Sequence, residues 1–178
     1  MMKELIELAL RQGFSHAAAL DPAALTVREE VRAMCAADKC RTYNRNWTCP
    51  PHCGTIEECQ ARIAGMSGGL LVQTVGQLED SFDFETMAET EKLHLAHFHA
   101  LAEQLREKKP GVLCLGSGGC RLCGSCAYPE PCRFPERACA SIEGYGLLVN
   151  EACQAAGVDY YHGKNTLSYT ACYLFPAE

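Results

Sequence analysis

No apolar run in the 178-residue chain reaches the roughly 18 residues that a membrane-spanning helix needs. The opening residues MMKELIELALRQG carry Lys3, Glu4 and Glu7 within their apolar stripe. They lack a basic segment followed by an uninterrupted apolar stretch and a small-residue cleavage site, so they do not read as a signal peptide. Basic residues are sparse as well. Lys and Arg total 16 against 22 Asp and Glu, and the formal net charge of −6 offers no electrostatic footprint for nucleic acid. The stretch GSGG (116–119) lacks the lysine-bearing phosphate-loop pattern and runs into cysteines instead, so it reads as a turn serving a neighbouring site. There is no fixed-period repeat and no low-complexity linker. These absences leave a cytoplasmic protein whose partner is neither nucleic acid nor membrane.

What the chain has in excess is cysteine, with 13 of them. A disulfide scaffold is disfavoured on three counts: the length supports a real core, no export signal stands at the start, and the number is odd. Clustered thiols in a reducing compartment are better explained as metal ligands. They fall in two regions, 35–59 and 120–139, within what reads as a single compact domain spanning 1–178.

The pattern around those regions predicts an α+β fold, a mixed sheet with helices packed on it. Helices are expected over 3–12, from Asp21-Pro22 to about 36, over 55–65, 84–108 and 141–156. Thr55 and Glu58 form a capping-box pattern, and Met87, His94, Phe98, Leu101, Ala102 and Leu105 share one face of the long helix. Strands are expected at 14–20, 70–75 and 112–116. VDYYHG (158–163) and LSYTACYLF (167–175) read as a terminal strand pair.

The second cysteine region is the more specific. Cys120-x2-Cys123-x2-Cys126 puts three thiolates on one tight turn, a spacing that directs three sulfurs at three irons of a [4Fe–4S] cluster. Cys132 in PCRFP is the fourth candidate, although its spacing and the place of Pro135 depart from the bacterial ferredoxin pattern. Gly118, Gly119 and Gly124 suit close backbone approach. Structural zinc is the alternative, but zinc sites more often use two separated pairs than a triple. Cys139 reads as a buried neighbour.

In the first region Cys35, Cys40, Cys49, Cys53 and Cys59 fall within 25 residues. Cys35, Cys40 and Cys49 form the leading set. Cys53, Cys59 or His52 would complete it, or one iron would stay open to a substrate. Tyr43 and Trp47 would either shield such a site or simply pack in the core.

The combination C-x4-C-x2-Y, W-x-CPP, C-x2-C-x2-C with PCR-x-P, and SIEGYGLLV resembles the DUF2284 family of predicted metal-binding proteins over roughly residues 35–150. The resemblance implies a cytoplasmic, cysteine-ligated metal protein of mostly anaerobic prokaryotes, resting on Cys35, Cys40 and Cys49, then Cys120, Cys123, Cys126 and Cys132. Cys53 and Cys59 match nothing in that pattern, and no reaction follows from it.

Other groups are weaker candidates. His94, His97 and His99 on the long helix read as core-edge residues, and Arg133 and Arg137 as solvated. The expected cofactor is one or two [4Fe–4S] clusters, with zinc as the alternative. The expected function is accessory electron transfer with a redox partner protein or small molecule. An iron–sulfur enzyme with an open iron, and a zinc-stabilised structural module, are the other two readings.

Overall fold

Alternation of apolar side chains along two long strands builds the centre of the molecule, described for residues 1–177 by a computed structural model. Strands β1 (His16–Leu20), β2 (Met66–Gln77), β3 (Leu113–Leu115) and β4 (Thr166–Pro176) form one sheet in the order β1-β2-β4-β3. All three strand pairings are antiparallel, and the parallel component is a single isolated bridge between Gly116 and Ser141. The α+β class read from the sequence holds.

Both faces of the sheet are covered. Leu70, Val72, Ala171, Tyr173 and Phe175 point to one side, where α1 (Met2–Gln12) and α4 (Phe84–Lys108) supply Ala9, Phe98, Leu101, Ala102 and Leu105. Leu71, Cys172 and Leu174 point to the other, against Cys59 and Ile63 of α3 (Ile56–Ala64) and Ala152 and Cys153 of α5 (Val149–Ala156). The period of two along the strands therefore sorts one sheet into two cores. Tyr173 anchors the first of them, donating its hydroxyl to the carbonyl of Phe98 at 2.9 Å.

The helix starts follow local chemistry. Thr55 and Glu58 close the expected capping box, with Glu58 N–H donating to Thr55 Oγ1 at 3.2 Å and Thr55 N–H to Glu58 Oε2 at 2.7 Å. Asp83 caps α4 by accepting from Thr86 N–H at 3.1 Å. Gly13 ends α1 at φ 113°, and a Cβ there would stand 2.4 Å from His97 Cε1, so glycine serves both the turn and the approach of α1 to α4.

Three expectations change. The helix foreseen from Asp21 to about 36 is a 3₁₀ turn, Pro22–Ala24, an extended stretch, then α2 (Glu29–Ala36). Arg28 N–H donates to Gly146 O at 2.8 Å, and that tertiary bond holds the stretch extended. The helix foreseen over 141–156 is likewise a 3₁₀ turn, Glu143–Tyr145, stopped by Gly146 at φ 77° before α5 begins. Residues 158–163 form no strand. They pass over buried Gln73, whose Nε2 donates to Asp159 O at 3.1 Å and whose Oε1 lies 2.6 Å from His162 Nε2. β4 pairs with β2 and β3 instead.

His94 of α4 is fully buried, with Nδ1 3.0 Å from Thr74 Oγ1 and Nε2 without a partner. Burial, aided by neighbouring His97, lowers its pKa to about 4. The unfolded chain takes up this proton below its ordinary value of 6.5 and the folded chain does not, so stability falls as pH falls from 6.5 towards about 4. The span amounts to about 3 kcal/mol. Urea unfolding of reduced, metal-free protein should show that loss, and His94→Gln should remove most of it; an unchanged pH slope in the variant would contradict the assignment.

Candidate metal centre

β3 delivers the chain to the second cysteine region through a pinned neck. Gly116 N–H donates to Ala140 O at 2.8 Å, and Ile142 N–H donates to Gly116 O at 3.1 Å. The intervening segment is thereby closed at its base on the edge of the sheet. Within it Cys120, Cys123, Cys126 and Cys132 line one narrow hollow, walled by Asn46, Trp47, Thr48 and Leu122. The four thiols that the sequence groups together are thus brought together, and the first region supplies part of their wall. Trp47 Nε1–H donates to Glu130 O at 2.8 Å, and the Trp47, His52 and Tyr128 rings pack with centroids 4.5 to 5.4 Å apart. Burial pushes the Cys120 thiol up, while the nearby backbone amides of Leu122 and Cys139 pull the other way.

Cys35, from the end of α2, lines a second cavity of about 300 Å³ with Cys40 and Cys49. Val31, Met34, Tyr43 and Leu148 make much of the rest of its wall apolar, and Gly118, Gly119 and Glu143 complete it. Cys40 is exposed and Cys49 buried. Cys49 Sγ lies 3.4 Å from Thr42 Oγ1. Burial raises both Cys35 and Cys49; Glu143 adds to the rise at Cys35, whereas the bond to Thr42 opposes it at Cys49.

The two cavities adjoin. A Cβ at position 119 would stand 3.5 Å from Cys49 Sγ, and Cys49 feels the charge of Cys120. Residues 118 to 120 therefore pass from one wall to the other, which gives GSGG its role.

Cys53 acts on the charge of Cys49 but does not line the 300 Å³ cavity. It lines a larger cavity of about 570 Å³ that also reaches Cys132 and Cys139. Its sulfur accepts from Arg32 Nη1 at 3.1 Å and donates to Gly144 O at 3.3 Å. Burial raises its pKa and Arg32 opposes the rise. Cys59 is a core residue of α3, 1% exposed. His52 pairs with Asn44, its Nε2 2.9 Å from Oδ1, and lines the large cavity rather than the 300 Å³ one. His94 and His97 pack edge-on against Phe14, and His99 against Phe98. Arg137 pairs with Glu103 at 2.6 Å, and Arg133 donates to Ser125 O at 3.3 Å.

All 13 cysteines are free thiols. The donors are soft throughout, which suits zinc or an iron–sulfur cluster. Among the described residues, no group of three or more His, Cys, Asp or Glu is arranged to hold a single ion. The predicted metal-binding protein family DUF2284 matches residues 18–175. The chain belongs to the DUF2284 family. No curated protein and no solved structure matches it. No helix is long and apolar enough to cross a membrane.

Two residues of this DUF2284 chain escape a reading by cysteine spacing. Glu143 lies inside the quoted SIEGYGLLV motif, yet only the folded chain turns it to the wall shared by Cys35, Cys40 and Cys49, where its Oε2 is buried without a partner. Arg32 has no sequence signal. From α2 it reaches Cys53 Sγ and the carbonyls of Gly54 and Gly144, joining both cysteine regions' supporting turns. Arg32→Met should cost about 2–3 kcal/mol, the usual worth of charged hydrogen bonds left unmade. Urea denaturation checks this, and a loss under about 0.5 kcal/mol, the range of ordinary surface changes, would contradict it.

Proposed function

We propose that this DUF2284 protein holds two [4Fe–4S] clusters and serves as an accessory electron carrier. The observation that carries the reading is the convergence of Cys120, Cys123, Cys126 and Cys132 on one hollow, three of them in C-x2-C-x2-C spacing. Cys35, Cys40 and Cys49 would hold the second group.

Bound clusters supply one-electron chemistry, and the chain tunes it. The Leu122 and Cys139 amides favour negative charge at Cys120, and such stabilisation raises a reduction potential. Trp47 and Leu122 form part of the wall around Cys120, Cys123, Cys126 and Cys132 and limit water there. Exposed Cys40 brings the outer site to the surface, where a redox partner protein or small molecule would exchange electrons. The adjacency of Cys49 and Cys120 supports relay between the two.

A second reading has its own support. The 300 Å³ cavity offers three cysteines and the unpartnered Glu143 oxygen rather than a fourth thiol. That arrangement favours an iron left open to a small substrate, with Glu143 beside it.

Protein purified without oxygen should carry about eight iron and eight acid-labile sulfide per chain, as two cubanes require. Cys123→Ser should lower both by about half, whereas Cys59→Ser should leave both unchanged. Zinc without sulfide would overturn the redox reading in favour of a structural module.

A further inference from the structure

Two thiols outside both sets of proposed ligands stand side by side at the base of the cysteine loop. Cys114 on β3 is 5% exposed and Cys139 is 7% exposed. The parallel bridge of Gly116 with Ser141 and the Gly116 N–H to Ala140 O bond draw the stretches carrying Cys114 and Cys139 together, and both residues belong to one buried cluster. Arg106, in the last turn of α4, places Nη2 3.1 Å from Cys139 Sγ and 3.3 Å from Arg137 O. Both sulfurs belong to residues lining the 570 Å³ cavity, and neither residue lines the hollow of Cys120–Cys132 or the cavity of Cys35, Cys40 and Cys49. A pair of cysteines packed only as small apolar groups needs neither a cation on one sulfur nor a cavity in front of it.

The cavity's charge limits what it accepts. Arg62 and Arg106 line it, opposed by a single carboxylate residue, Glu136. Cationic walls around two thiols suit a small molecule that carries negative charge and a group that thiols reduce.

We propose that Cys114 and Cys139 are a redox-active dithiol that reduces small anionic disulfides in this cavity. Cys139 attacks one sulfur of the substrate, guided by Arg106. The substrate S–S bond breaks, a Cys139–substrate disulfide forms, and the first substrate thiol leaves. Cys114 then attacks Cys139, releasing the second substrate thiol and closing a Cys114–Cys139 disulfide. The dithiol gives up two electrons and two protons, and the substrate takes up both as two thiols. Neither sulfur is a proposed ligand, although the cavity also reaches the ligand candidate Cys132.

The test uses full-length protein purified without oxygen and mixed with dithiodipropionate, a small dianionic disulfide, or cystamine, its dicationic counterpart of similar size. After alkylation, peptide mass spectrometry should locate a Cys114–Cys139 bridge. Bridging should be about tenfold faster with the anion, the low end of electrostatic steering. Cys114→Ser should trap the probe on Cys139. Arg106→Gln should slow bridging and abolish the charge preference, with circular dichroism checking that the fold is kept. No bridge in the native protein, or oxidation scattered over the other cysteines, would overturn the dithiol. A bridge formed equally fast with both probes would overturn the anionic substrate class.

Discussion

Two backbone hydrogen bonds, Gly116 N–H to Ala140 O and Ile142 N–H to Gly116 O, hold the base of the cysteine loop to the edge of the sheet. The loop between them has little regular structure, and without the neck its thiols would pay a large entropy to meet. Pinning the ends shortens the problem to a local one, in which closely spaced cysteines need only turn inward. The same neck carries Ile142 into the second core and sets Glu143 and Gly144 beside the first cysteine region. One constraint therefore serves both cysteine regions.

The first region depends on the second in return. Its own elements are short, and its order comes from reaching outwards. Trp47 donates to Glu130 O and packs edge-on against Tyr128, while Arg32 ties α2 to the carbonyls of Gly54 and Gly144. Between the two regions in sequence lie α3, β2, α4 and β3, which fill the two cores and give the loops a rigid edge to fold against. Binding residues on loops held by a rigid sheet are a common division of labour. Here it brings Cys49 within electrostatic reach of Cys120, across the glycines of 118–119.

Legibility followed the range of the interaction. Cys120, Cys123 and Cys126 are neighbours in sequence, and so are Thr55 and Glu58, so their grouping was readable from spacing. The 25-residue α4 repeats its apolar face often enough to fix its limits and its buried side. The helix expected from Asp21 failed because a bond to Gly146, far along the chain, outweighs the local start signal. Residues 158–163 have strand-like composition, yet the polar side chain of Gln73 takes their backbone and His162 instead. Cys53 lies close to Cys49 in sequence, but it stands at the wall of a different cavity, tied to Arg32. Glu143 and Cys114 were silent for the same reason: a carboxylate inside an apolar motif and a cysteine inside a strand have no local pattern that states their neighbours.

The central claim is that two iron–sulfur sites adjoin through residues 118 to 120. Electron paramagnetic resonance of anaerobic protein reduced with dithionite tests it most directly. Two reduced clusters this close should give signals broadened by mutual coupling, and Cys35→Ser should leave the cluster on Cys120, Cys123, Cys126 and Cys132 as a single unbroadened signal. A colourless, silent protein, or a single sharp signal that Cys35→Ser leaves unchanged, would contradict the account.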